Sequence, residues 1–249
     1  VEYAIHIGKR IDTEIRLVHL EVNKQKGMAK VKLLEEVARK IATPPCVEIT
    51  TAVHGGDIFS EIGTIAKREK AQLVIMGTHG IKGFQRIAGS HAMKVITSTD
   101  CAFLIVQKST VLKEITDIAV PVDLTKESLQ IVNIAGDMAK IFNATVNVLA
   151  EAQSDEILNN RLQNRIGIVR NQYEERGVTA NIHLLKDSGG FSNKIMKFVK
   201  NNNVGMIALA HHTESLLPQF DTFTQNILTN KQALPVLIIN SKLASALYF

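Results

Sequence analysis

The chain is one unit written twice, and this repeat constrains its fold more than any other feature. At an offset of about 133 residues, AQLVIMGTHG from Ala71 aligns with VGMIALAHHT from Val204, and CAFLIVQ from Cys101 with LPVLIIN from Leu234. HGGDIFSEI from His54 aligns with SGGFSNKI from Ser188, and YAIHIGKRIDTEIRLVHL from Tyr3 with IAGDMAKIFNATVNVLA from Ile134. A period this long marks a duplicated domain, because solenoid repeats run to only ~20–50 residues. The boundary falls near Val111–Ile115, which predicts a first domain over residues 1–113 and a second over 114–249. The total of 249 residues suits two cores of ordinary size.

Within each copy, short Val/Ile/Leu runs alternate with amphipathic stretches. IRLVHL, VEITTAV, LVIM and FLIV are nearly continuous in apolar residues, the pattern of strands covered on both faces of a parallel sheet. MAKVKLLEEVARKIA and DIFSEIGTIAKREK carry apolar residues at spacings of three and four, the pattern of surface helices. Alternation of the two predicts βαβ units, hence an α/β layered domain in each copy. The second copy opens with DIAVPVDLTKES, a strand and turn, whereas the first opens directly in a helical stretch. The repeat places the matching strand about 10–15 residues ahead of Val1, so the first copy is expected to show a sheet lacking its opening strand.

Composition excludes some functions. No apolar run approaches the ~20 residues needed to span a bilayer, and no signal-peptide pattern opens the chain. Two cysteines, Cys46 and Cys101, are too few for a disulfide framework and fit a reduced, cytoplasmic setting. The net charge of +5 is dispersed, and aromatic residues make up only 5%, so no basic, ring-studded nucleic-acid surface is expected.

The chemistry concentrates in MGTHGIKGFQRIAGSHAMKVI, Met76 to Ile96, which holds Gly77, Gly80, Gly83 and Gly89 followed by Ser90. The segment follows the strand LVIM, and parallel sheets bind ligands beyond the carboxyl ends of their strands. Glycine lets backbone approach a ligand closely, and a helix start near Ser90 would present free N–H groups to a phosphate, with Lys82 and Arg86 adding charge. The same residues also suit a plain strand-to-helix turn with Ser90 as N-cap. Residue types alone leave both readings open. Neither the P-loop nor the dinucleotide fingerprint is present.

GTHGIKGFQRIAGS resembles the nucleotide-binding motif of the universal stress protein family, G-x2-G-x9-G-[ST]. LVIMGTHG is similar to that family's fourth strand and loop, HGGDIFSEI to its glycine-led turn into a helix, and PVDLTKES to its opening P-x-D-x-S turn. The resemblance covers essentially the whole chain, as a tandem pair. It implies two adenine-nucleotide α-hydrolase-like (Rossmann-like) domains, each a parallel five-stranded sheet sandwiched by helices, packed as an internal pseudo-dimer. It implies an ATP site in the first copy, taking ADP or AMP in the same seat, with Mg2+ accompanying the nucleotide. Met76 and Gly77 would lie along the nucleotide, Gly80 would approach ribose and phosphates, and Gly89, Ser90 and His91 would supply N–H groups and a hydroxyl to the phosphates. The sequence departs from the pattern in one respect: eight residues, not nine, separate Gly80 from Gly89. In the second copy Asp123 sits where the adenine-side aspartate belongs, but Ala210 and Thr213 replace the first two glycines and Asp221 or Thr222 the third. A carboxylate there would repel phosphate, so that copy is expected to serve as a structural partner.

Other candidates are weaker. His211-His212 suits a surface loop pair rather than a zinc site, because no further ligand lies at metal spacing. Glu35-Glu36 and Glu174-Glu175 belong to solvated helix faces, and no catalytic triad is visible. The last strands, AFLIVQ and PVLIIN, are expected to pair with each other across the repeat. The resemblance thus implies a cytoplasmic nucleotide-binding regulatory module, with at most slow ATP hydrolysis since no positioned base or arginine finger is visible. The alternative is a scaffold of the same fold that ignores nucleotide. A homo-oligomer is compatible with either.

Overall fold

Fully apolar runs need cover on both faces, and the second repeat supplies it completely. The computed structural model describes residues 1–22, 24–41, 44–77, 95–211 and 222–241. The second repeat runs β5 (Asp117–Pro121), α4 (Gln130–Phe142), β6 (Thr145–Glu151), α5 (Glu156–Glu175), β7 (Ala180–Leu185), α6 (Phe191–Asn201), β8 (Met206–His211), α7 (Thr222–Leu228) and β9 (Val236–Asn240). The strand order is β9-β8-β5-β6-β7, with every neighbouring pair parallel. Successive side chains of a strand point to opposite faces. Ile118 and Val120 of β5 accordingly pack with Val146, Val148, Ile131, Ala135, Val169 and Tyr173, under α4 and α5. Ala119 packs on the other face with Leu149, Ile207, Leu209, Ile195, Val199 and Ile227, under α6 and α7. Local signals agree with this arrangement. Asp155 caps α5 by accepting the Leu158 amide at 2.9 Å, and Asn143 ends α4 in the left-handed conformation, φ 52°.

The first repeat comprises α1 (Glu2–Gly8), β1 (Thr13–Glu21), α2 (Lys24–Lys40), β2 (Val47–Gly55), α3 (Ile58–Arg68), β3 (Leu73–Gly77) and β4 (Ala102–Val106). Its strands form two separate parallel pairs, β1-β2 and β3-β4. By the repeat, β1 corresponds to β6 and β3 to β8, the strands that flank β5. The sheet is therefore interrupted where the second repeat holds β5. The expected five-stranded sheet is met in the second repeat, while the first has four strands among the described residues.

The expected pairing of the last strands is observed. β4 runs antiparallel to β9, with Phe103 opposite Ile238 and Ile105 opposite Val236, so one seven-stranded sheet crosses the repeat. Gln107 and Asn240 are equivalent positions, and each reaches across the junction. Gln107 Nε2 donates to the carbonyls of Asn230 (2.9 Å) and Leu228 (3.3 Å), and Asn240 Nδ2 donates to that of Thr97 (3.3 Å). Asn230 and Thr97 are themselves repeat equivalents, so the contacts are reciprocal, as in a two-fold interface. α1 adds a second link. Tyr3 and Ile7 join the second repeat's core, Arg10 pairs with Glu114 at 2.5 Å, and its guanidinium lies 4.8 Å from the centre of the Phe142 ring.

Candidate functional site

Residues at the carboxyl ends of parallel strands are the ones a ligand can reach, and in the first repeat β2 and β3 both end in glycine. β3 ends at Met76–Gly77. Met76 is half-buried and packs on the core beneath α3, and Gly77 is exposed. β2 ends at Gly55, and Gly56 follows with φ +121°, where an added Cβ would lie 2.6 Å from Glu61 Cγ. Only glycine suits that turn. The Gly56 amide donates to the carbonyl of Glu21, tying the turn to the end of β1 at 3.3 Å. The structure thus places Met76 and Gly77 at the carboxyl end of β3. The remaining predicted site residues, Gly80, Gly89, Ser90 and His91, lie outside the described residues, as do His79, Lys82 and Arg86.

The corresponding end of the second repeat is built differently. Asp123 Oδ1 accepts the amide of Thr125 at 2.8 Å and its hydroxyl at 2.5 Å, and the Ser128 hydroxyl donates to the Thr125 carbonyl at 3.0 Å. The aspartate thus closes its own turn. Ala210 and His211, which replace Gly77 and Thr78, are both buried. His211 is the last residue of β8, fully buried, with its carbonyl accepting the Ser241 hydroxyl at 2.6 Å and its Nδ1 3.5 Å from Thr224 Oγ1. The expectation of a surface histidine pair is corrected for His211, because the apolar strand continues to it; His212 lies outside the described residues. Because β4 and β9 are antiparallel, the carboxyl ends of the two repeats' strands lie at opposite ends of the joined sheet.

Two polar groups escaped the sequence reading. The reciprocal amides Gln107 and Asn240 were legible as the aligned last letters of CAFLIVQ and LPVLIIN. Inside the second repeat, His183 Nε2 meets Asn147 Oδ1 at 3.0 Å, and Asn147 Nδ2 donates to Asp117 Oδ1 at 3.0 Å. Burial holds the His183 imidazole below its ordinary pKa. This chain starts at the amino end of β5, away from the ligand end, and satisfies polar atoms inside the layer. Cys101 is buried as expected, its thiol pushed up to about 11 by burial, with Asp100 adding to the rise. Glu35, Glu36, Glu174 and Glu175 are solvent-exposed as expected. Among the described residues, no group of three or more His, Cys, Asp or Glu is arranged to hold a metal ion. No helix among them is long and apolar enough to cross a membrane.

Comparison with known proteins agrees with this fold. The sequence model of the universal stress protein family matches residues 1–107. A universal stress protein of Methanocaldococcus jannaschii is 29% identical over 127 residues, covering 43% of this chain and 72% of the relative. The crystal structure of a universal stress protein from Archaeoglobus fulgidus superposes with a TM-score of 0.70 at 17% identity, covering 96% of this chain and 91% of that one. The family model thus matches the first repeat, which is similar to the universal stress protein family over residues 1–107.

Proposed function

We propose that this protein is a cytoplasmic nucleotide-binding regulatory module with one glycine-loop site, in its first repeat. Its ligand is ATP, with ADP or AMP taking the same seat and Mg2+ accompanying the phosphates. The observation that carries the reading is the end of β3: an exposed glycine, Gly77, at the carboxyl end of a parallel strand, leading directly into GTHGIKGFQRIAGS. Met76 and Gly77 would line the nucleotide and Gly80 would face the ribose and phosphates. Gly89, Ser90 and His91 would bind the phosphates through N–H groups and a hydroxyl. In the second repeat the matching strand ends in buried Ala210 and His211, which supports one site per chain. The proposed division is 1–113 and 114–249, with the β4–β9 ladder as the seam of an internal pseudo-dimer. The role is binding rather than catalysis, with at most slow hydrolysis.

Calorimetric titration of the 249-residue protein with ATP, ADP and AMP tests this. The expected result is saturation near one nucleotide per chain, abolished by Gly89→Asp, which sets a carboxylate at the phosphate seat. Absence of binding by the unaltered protein would overturn the reading and put the nucleotide-free scaffold in its place. Two equivalents per chain would overturn the assignment to the first repeat alone.

A further inference from the structure

We propose that the outward face of α5 is a docking surface for a second copy of this chain, the two helices packing antiparallel about a two-fold axis beside Gly167. α5 buries one side only. Leu162 and Ile166 pack beside Ala150, and Val169 and Tyr173 join the core under α4. The opposite side carries Asn160, Asn164, Gly167 and Asn171 at spacings of four, three and four, which sets them in one line along the helix. The three asparagines are exposed. Ile157 and Ile168 flank the line and are 71% and 46% exposed.

Two features of this helix work against an isolated chain. Gly167 lies at the middle of a 20-residue helix, where glycine is less favourable than any residue but proline. A Cβ added there would meet nothing within 4 Å, so no neighbour inside the chain requires the glycine. Gly136 of α4 is the contrast: its Cβ would lie 3.1 Å from Arg176 Nε, and packing accounts for it. The second feature is charge. Glu174 and Glu175 occupy the last turn, which holds no basic residue, although the carbonyl end of a helix favours cations. Arg176, just beyond, pairs with Asp137 of α4. Local rules broken with no gain inside the fold mark a surface shaped by something outside it.

A second copy answers both features. Turned end for end about an axis between Gly167 and Ile168, the face meets itself in register. Ile168 seats over the partner's Gly167, and the missing side chain lets the axes approach to the short end of the ~8–10 Å range. Asn164 falls opposite the partner's Asn171, two amides that each donate and accept. Arg161 falls opposite the partner's Glu174, and Asn160 opposite the partner's Glu175. Each of these contacts occurs twice, as a two-fold interface demands. Antiparallel alignment also opposes the two helix dipoles. Parallel alignment would set Arg161 against the partner's Arg161 and carboxylate against carboxylate, so charge selects the antiparallel pair. A single helix pair with a polar seam makes a small interface, hence a weak and concentration-dependent dimer.

The test is sedimentation equilibrium of the 249-residue protein from micromolar to millimolar concentration. The expected result is a reversible monomer–dimer equilibrium. Ile168→Asp and Arg161→Glu should each raise the dimer Kd at least tenfold (about 1.4 kcal/mol). Gly167→Leu should weaken the dimer while raising the thermal midpoint of the dilute monomer, opposite effects that mere misfolding would not give. Combining Arg161→Glu with Glu174→Arg and Glu175→Arg should restore the dimer to within about threefold, because the charges are exchanged and not removed. A protein that stays monomeric throughout would overturn the proposal. A dimer indifferent to Ile168→Asp and Gly167→Leu would lie on another face and overturn it equally. Failure of the charge exchange to restore the dimer would overturn the antiparallel register.

Discussion

Replacing Gln107 with leucine tests whether the reciprocal amides add to the hold that the apolar ladder and α1 already give the two repeats. Gln107 is half-buried, and both its amide hydrogens are used, toward Asn230 and Leu228 carbonyls. A net intramolecular hydrogen bond contributes about 1 kcal/mol, so losing two costs roughly 2 kcal/mol. The Asn230 carbonyl keeps the Ala233 amide at 3.1 Å, which trims the penalty; the expected cost is about 1–2 kcal/mol. Asn240→Leu, at a site only 2% exposed, removes the partner contact to Thr97 and is expected to cost about the same. The two amides lie at opposite ends of the β4–β9 ladder and share no partner, so the double variant should lose the sum within about 0.5 kcal/mol. The chain has no tryptophan, so urea unfolding is followed by far-ultraviolet circular dichroism, with the midpoint and slope compared across the four proteins. An unchanged midpoint for Gln107→Leu would refute the reasoning and leave the apolar ladder and the α1 contacts as the fastening. A coupling well above 0.5 kcal/mol would show that the two contacts are not independent.

Stability should also fall on mild acidification. His6 is buried between the Tyr3 and Phe142 rings, and burial, then the Arg10 charge, hold its pKa below 6.5, against a smaller opposing pull from Glu114. The unfolded chain therefore binds the proton first, so the contribution is complete above pH 6.5 and is lost as pH falls toward the depressed value; buried His183 acts in the same direction. His6→Phe should flatten part of the slope of urea stability against pH in that window, and an unaltered slope would exclude His6 as its source. The two thiols should also separate kinetically: at about pH 8 a disulfide reagent should modify half-buried Cys46 first, and Cys101, whose pKa is raised to about 11, only on unfolding. Simultaneous modification of both in the folded protein would contradict the burial of Cys101.

Much of this fold is legible in one dimension because its signals are local. Continuous apolar runs separated by amphipathic stretches specify parallel strands and covering helices, and the near-identity of spacing between copies identifies which strand answers to which. That correspondence also locates the interruption between β1 and β3, at the position where the second copy holds its DIAVP strand. The glycines after LVIM mark the proposed site in the same way, and the structure describes only Met76 and Gly77 of it. Tertiary structure decided everything that depends on which neighbour a strand acquires. LVIM and MIALAH are similar as strings, yet β3 is half-buried and β8 fully buried, because β8 has β5 beside it and β3 does not. The same principle buried His211, which looked like a loop residue. It also turned β4 and β9 antiparallel, which sends the carboxyl ends of the two repeats' strands to opposite ends of the sheet. Periodicity is written residue by residue, whereas burial is set by contacts between segments far apart in the chain.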